Sequence, residues 1–194
     1  MTTRQGRCSA PNTRGGFTLI ELLMVVVIVG VMMSIAVPRL RITPETEVQL
    51  AAMQLAQDID LARTRALSTR SASRVTFASG AHQYTGYLDH DDNGTFGETI
   101  VERDALRGFA TRTLRDGIVF GRGSASAVPD DASGGAITFA GEKVQFDARG
   151  LTAPMGAGGV VYVRHETTPT AVTAVAVSPA GSVRLWTWRN GAWE

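Results

Sequence analysis

The chain has 194 residues, 44% of them hydrophobic and 19% charged, with a formal net charge of +1. That length accommodates one globular domain beside a membrane segment, and so neutral a balance excludes global attraction to nucleic acid or to acidic partners. The only cysteine is Cys8, so no internal disulfide staples the fold.

Arg4, Arg7 and Arg14 open the chain, and no acidic residue precedes Glu21. Residues 17–37 then form an apolar run in which Glu21 is the only charge. As a helix this run reaches roughly 30 Å, the thickness of a bilayer core. Its β-branched content matters little in lipid, where the backbone must satisfy its own hydrogen bonds. Arg39 and Arg41 follow, so basic residues favour a cytoplasmic N-terminus by three to two. Three other readings compete. A secretory signal peptide would use Ser34-Ile35-Ala36 as its cleavage site, but the run is long for one and carries a carboxylate. A plain anchor gives no reason for Glu21, since a charge at mid-span costs about 2.5–3.5 kcal/mol. A buried core helix is disfavoured by the unbroken apolar character.

Residues 39–44 form a weak point, because Pro38 and Pro44 each remove a helical donor and disfavour helix just before them. Thr43-Pro44-Glu45 then predicts a helix restart: a capping hydroxyl, a first-turn proline and an acid near the positive end of the dipole. Val48, Ala52, Leu55, Ile59, Ala62 and Ala66 recur at helical steps and line one face. Gln54, Gln57, Asp58, Arg65 and Ser68 are expected mostly elsewhere. The stripe predicts packing on the domain's own sheet, with an intersubunit seam as the competing use.

After Ser71 the pattern turns to short β-rich stretches between glycine, proline and asparagine. Candidate strands are 74–78, 83–88, 99–103, 109–114, 118–120, 136–139, 143–146, 160–165, 171–177 and 183–188. So many strands imply two packed antiparallel sheets, or one sheet curled on the helix. Residues 121–135, rich in glycine, serine, alanine and aspartate, read as a mobile loop.

Two stretches are candidate sites. Asp89, Asp91, Asn93 and Gly94 match the first, third, fifth and sixth positions of a calcium loop. The closing glutamate is missing, with Ile100 in its place and Glu98 two residues early, so a solvated hairpin turn is the preferred reading and no metal is expected. Near the C-terminus, a strand over 183–188 puts Arg184, Trp186 and Trp188 on one face and Val183, Leu185 and Thr187 on the other. Asn190-Gly191 can turn the chain back to Trp193. Arginines 184 and 189 beside indoles suit a partner protein or stacked nucleic acid. The opposing reading packs the tryptophans against the domain itself. His82, His90 and His165 lack zinc spacing, and no nucleophile elbow, phosphate loop or dinucleotide fingerprint is present, so the chain is not expected to be an enzyme or to need a cofactor.

Gly16-Phe17-Thr18-Leu19-Ile20-Glu21-Leu22-Leu23 resembles the processing motif of type IV pilins and type II secretion pseudopilins. The resemblance implies cleavage between Gly16 and Phe17 by a membrane prepilin peptidase and N-methylation of Phe17 by the same peptidase/methyltransferase. It also implies that Glu21 pairs with the terminal ammonium of a neighbouring subunit during assembly. That agrees with electrostatics, since a buried carboxylate needs a countercharge. Further on, Leu61-Ala62-Arg63-Thr64-Arg65-Ala66 runs into Arg74-Val75-Thr76-Phe77. The acidic turn follows, then Phe146-Asp147-Ala148-Arg149-Gly150 and Val177-Ser178-Pro179-Ala180-Gly181-Ser182-Val183-Arg184. This order resembles the GspH/FimT family of minor pilins and pseudopilins.

The implied fold is α+β: a long N-terminal helix, membrane-spanning then amphipathic, packed on a C-terminal antiparallel β-sandwich-like domain. The implied organisation is a leader at 1–16, a transmembrane helix at 17–38, its amphipathic continuation at 39–70 and a periplasmic β-rich domain at 71–194. The implied function is a minor pseudopilin at or near the tip of a type II secretion pseudopilus, a single-pass inner-membrane protein among other pseudopilins. The alternative is a type IV pilus minor pilin, for which DNA capture runs through a Gly-Arg-x-Arg motif. Here Gly181-Ser182-Val183-Arg184 has serine in place of the first arginine. The missing C-terminal disulfide also departs from many major pilins.

Overall fold

The computed structural model describes residues 16–39, 43–97, 102, 111–129, 131 and 134–194. Residues 1–15 of the expected leader, residues 40–42 of the expected weak point at 39–44 and most of the candidate strand at 99–103 lie outside the described residues, as do Phe109 and Ala110. The chain divides into two compact units, Met1–Arg41 and Ile42–Glu194.

The first unit holds helix α1, Leu19–Arg39. Thr18 starts it: its hydroxyl accepts the Glu21 N–H at 3.2 Å and its carbonyl accepts the Glu21 and Leu22 N–H groups at 3.1 Å. Threonine followed three residues later by glutamate is the capping-box pattern. Every residue from Leu19 to Ala36 is exposed, and this span is apolar and long enough to cross a membrane. A helix apolar on all sides must find lipid or other apolar helices to cover it.

The second unit begins with α2, Pro44–Thr69. Thr43 is extended at φ −77° and ψ 152°, and its side chain accepts the Thr46 N–H at 3.4 Å. Pro44 follows in the first turn with Glu45 and Glu47, so the restart has the expected cap. The helix ends at Arg70, which is left-handed at φ 58°. All six expected stripe residues, from Val48 to Ala66, are fully buried. Asp58, expected with the polar residues mostly off this stripe, is buried as well, because Tyr84 and Arg112 reach it from the sheet.

Among the described residues, nine strands form two antiparallel sheets. The first contains β1 (Ser73–Ala78), β2 (Gln83–Leu88), β3 (Thr111–Thr113) and β5 (Lys143–Phe146), in the order β3-β2-β1-β5. The second contains β4 (Ile118–Phe120), β6 (Gly159–His165), β7 (Val172–Val177), β8 (Val183–Arg189) and β9 (Ala192–Trp193), in that order. The main core lies between α2 and the inner faces of both sheets, where Val75, Phe146, Val161, Val163 and Val175 are buried beside Leu55 and Ile59. Phe77 joins the sheets, meeting the Phe120 ring edge-on at 6.2 Å and the Phe139 ring stacked at 5.9 Å. This is the expected α+β architecture.

Two expected segments differ. Residues 136–139 are not a strand but an irregular stretch laid on β6 through a single bridge, Ile137 to Val161. The Thr138 side chain takes the Val160 N–H at 2.7 Å, so a side chain replaces a ladder bond. The stretch at 121–135, expected to be mobile, is tied down in its described part. Ala125 and Val128 are buried in a second apolar cluster on the outer face of the β4–β9 sheet, with Val160, Tyr162, Val172 and Ala174.

Candidate functional site

The residues expected to be processed, Gly16 and Phe17, sit just ahead of α1. Gly16 has nothing within 4 Å of where a Cβ would stand, and Phe17 is 83% exposed. Glu21 is the third residue of the helix, in its first turn, where the unpaired N–H groups and the helix dipole favour an anion. Thr18 fixes where that turn begins, a role announced by the Thr-x-x-Glu spacing and passed over in the sequence reading.

The acidic turn closes on itself. Asp89 is buried at the end of β2, and its carboxylate accepts the N–H groups of Asn93 at 3.1 Å and Gly94 at 2.9 Å. Asp91 accepts the Asn93 side-chain amide at 2.8 Å, and Asn93 accepts the Thr95 N–H at 2.7 Å. The third carboxylate is Glu102, buried and accepting the Gly97 N–H at 2.8 Å. Oxygens of Asp89, Asp91 and Glu102 lie within 4.8 Å of one another, a grouping that leaves Asn93 out. Glu102 lies beyond both positions weighed from the calcium-loop spacing. Oxygen donors of this kind suit a hard cation, but here the Asp89 oxygens already face backbone donors.

The C-terminal face is built on β8. Arg189 and Ala192 pair across Asn190-Gly191, whose φ values of 52° and 82° give the left-handed two-residue turn that the sequence predicts. Trp186, Trp188 and Trp193 are partly buried against the outer cluster, while Arg184 and Arg189 are exposed. Trp193 stacks edge-on with Trp188 at 5.1 Å, lies 5.9 Å from Tyr162 and donates its indole N–H to the Ser126 carbonyl at 3.1 Å. The indoles thus pack on the cluster that contains Ala125 and Val128, and Trp193 bonds directly to that stretch. Tyr162, fully buried, pins the same stretch, the 121–131 strap: its hydroxyl donates to Asp131 at 2.6 Å and accepts the Val128 N–H at 3.0 Å. Burial and the Asp131 carboxylate push its phenol up to about 12. Between the strap and the β7–β8 turn lies a groove of about 740 Å³ whose lining includes Pro129, Pro179, Arg184 and Trp186. Arg184 and Trp186 therefore share one surface, and Arg189 lies on the hairpin beyond it.

A further polar site was invisible in the sequence. Tyr84 on β2 donates to Asp58 on α2 at 2.6 Å, and Arg112 on β3 pairs with the same oxygen at 3.0 Å. Burial pushes the Asp58 pKa up, against the opposing pull of Tyr84 and Arg112.

Comparison with known proteins supplies the context. The model of the prokaryotic N-terminal methylation motif matches residues 11–37. The model of the type II transport protein GspH matches residues 51–181. No curated protein matches the chain. Among solved structures, the minor pseudopilin EpsH of the Vibrio cholerae type 2 secretion system is 12% identical. That alignment covers 73% of this chain and 97% of EpsH, with a TM-score of 0.49. The type IV minor pilin FimU of Pseudomonas aeruginosa is 16% identical, over 72% of this chain and 87% of FimU, with a TM-score of 0.47.

Proposed function

Because the chain belongs to the GspH family of type II transport proteins, we propose that it is a minor pseudopilin, a non-catalytic subunit at or near the tip of a secretion pseudopilus. The observation that carries this reading is the methylation motif at residues 11–37, which takes in most of an exposed apolar helix and is followed by a GspH domain. The motif implies processing by a prepilin peptidase, and the proposed cut lies between Gly16 and Phe17. The freed Phe17 ammonium and the Glu21 carboxylate then offer complementary charges at the head of α1 for subunit-to-subunit pairing in a low-dielectric setting. Residues 17–38 act as the inner-membrane anchor, 39–70 continue as the amphipathic segment, and 71–194 form the periplasmic domain. Coexpression with a prepilin peptidase tests the proposal: a mass loss matching residues 1–16 is expected, and a chain left uncleaved refutes it.

A second reading, a type IV pilus minor pilin that captures DNA, draws on the exposure of Arg184 and Arg189. Two arginines give a small electrostatic footprint, and Ser182 stands where a further arginine would strengthen it. Binding of duplex DNA to the full chain in detergent, across a salt series, separates the two readings. Salt-sensitive binding lost in Arg184→Glu/Arg189→Glu favours the pilus; no binding near physiological salt favours secretion.

A further inference from the structure

The outer face of the second sheet carries side chains in rows across its strands. Cross-strand pairing puts Val160, Ala176 and Arg184 in one row, and Tyr162, Ala174 and Trp186 in the next. Ala125 and Val128 of the strap share a buried cluster with Tyr162 and Ala174. Beside this packing lies the trough of about 740 Å³, which runs from Val128 and Asp131 to the β7–β8 turn. Its volume is that of an ordinary small-ligand cleft. Ala176 stands in the middle of its row, between Val160 and Arg184, and so small a side chain leaves depth there.

Two side chains lining the trough have bonding capacity that the fold does not use. The Trp193 indole donates to the Ser126 carbonyl and meets two other rings. Trp186 does neither: among the described residues it has no hydrogen-bond partner and no ring partner. The exposed Arg184 guanidinium likewise has no hydrogen bond or ion pair among them. Asp131 adds a carboxylate from the strap, held in place by the Tyr162 hydroxyl at 2.6 Å.

We propose that this trough binds a neutral oligosaccharide, with one pyranose ring stacked on Trp186 and its hydroxyls bonded to Arg184 and Asp131. The lining selects this occupant. One cation and one anion face the trough, so their charges cancel and a polyanion gains little there. The floor strands β6 and β7 are paired on both sides, so no free edge lies beneath the trough for a peptide strand to extend. A hydrocarbon would bury the guanidinium and the carboxylate without giving them partners. A pyranose has a face of C–H groups for the negative face of the indole. Its hydroxyls both donate and accept, so one sugar serves Arg184, a donor, and Asp131, an acceptor. This binding role goes beyond filament assembly and does not depend on which filament the chain joins.

The test titrates the full chain, held in a sugar-free polyoxyethylene detergent, with chitotriose, cellotriose and maltotriose as neutral probes and trigalacturonate as an acidic one. Binding is read from tryptophan fluorescence and from saturation-transfer NMR of the sugar. The expected result is saturable binding of at least one neutral probe, with trigalacturonate weaker. Trp186→Ala and Arg184→Gln should each lower that affinity roughly tenfold or more. Ala176→Leu keeps both groups but fills the floor, and should lower it at least as much. Leu185→Ala, whose side chain lies on the α2 side of β8, should bind as the wild type does. Unchanged circular dichroism shows that each variant folds. No saturable binding of any neutral probe overturns the proposal. Binding that survives both Arg184→Gln and Ala176→Leu overturns it too, as does trigalacturonate binding more tightly than every neutral probe.

Discussion

Replacing Asp58 with alanine probes the polar link that joins α2 to β2 and β3. Asp58 accepts the Tyr84 hydroxyl at 2.6 Å and pairs with Arg112 at 3.0 Å. A hydrogen bond to a charged group contributes about 1.5–3 kcal/mol. The Arg112 side chain is 33% exposed, so its ion pair adds at most about 1 kcal/mol after solvent screening. Relief of the carboxylate's desolvation offsets part of the loss, leaving about 1–3 kcal/mol net. For a domain of this size that lowers the melting midpoint by roughly 3–10 °C. The assay is urea and thermal unfolding of the domain from Ile42 onward, in a double-mutant cycle with Tyr84→Phe. The double variant should be more stable than the sum of the single losses predicts, by more than about 0.5 kcal/mol. Additive losses would refute the coupling. The pH dependence gives an independent sign. Burial raises the Asp58 pKa, so its contribution is complete below the unfolded value of about 3.9 and fades as pH rises through the folded value. The stability gap between the wild type and Asp58→Asn should therefore narrow as pH rises; a widening gap contradicts the assignment.

Two further predictions concern α1 and the strap. Glu21→Ala should leave membrane insertion intact and reduce filament incorporation, measured by comparing membrane and sheared-filament fractions; equal incorporation would remove Glu21 from the assembly contact. Tyr162→Phe deletes a buried hydroxyl that serves Asp131 and the Val128 N–H, and should cost about 1–3 kcal/mol. It should also quicken proteolysis within residues 121–131, and a cleavage rate matching wild type there would show that the indole contacts alone hold the strap.

Features written in neighbouring residues were legible in the sequence. The Val48–Ala66 spacing, the Thr43-Pro44 restart and the Asn190-Gly191 hairpin each depend on local geometry, and the structure contains all three. The misreadings required knowledge of what comes near in space. Asp58 looks like a solvent residue until Tyr84, 26 positions away, arrives above it. The 121–135 stretch has the composition of a loose loop, yet Ala125 and Val128 find apolar cover on the outer sheet face. Glu102 joined Asp89 and Asp91 from outside any calcium-loop register. The methylation motif at residues 11–37 is the reverse case, because a linear motif carries its information in consecutive residues.

Thr43 and the buried stripe of α2 also have a mechanical meaning. Tension applied through the chain ahead of the domain enters at Thr43, the cap of a helix that touches both sheets. A pull along the helix axis must slide Val48, Leu55, Ile59 and Ala66 past their neighbours together. A sideways pull lifts them one turn at a time, beginning with the Thr43 cap. α2 is thus a handle whose resistance depends on direction: firm under lengthwise load and weak against leverage.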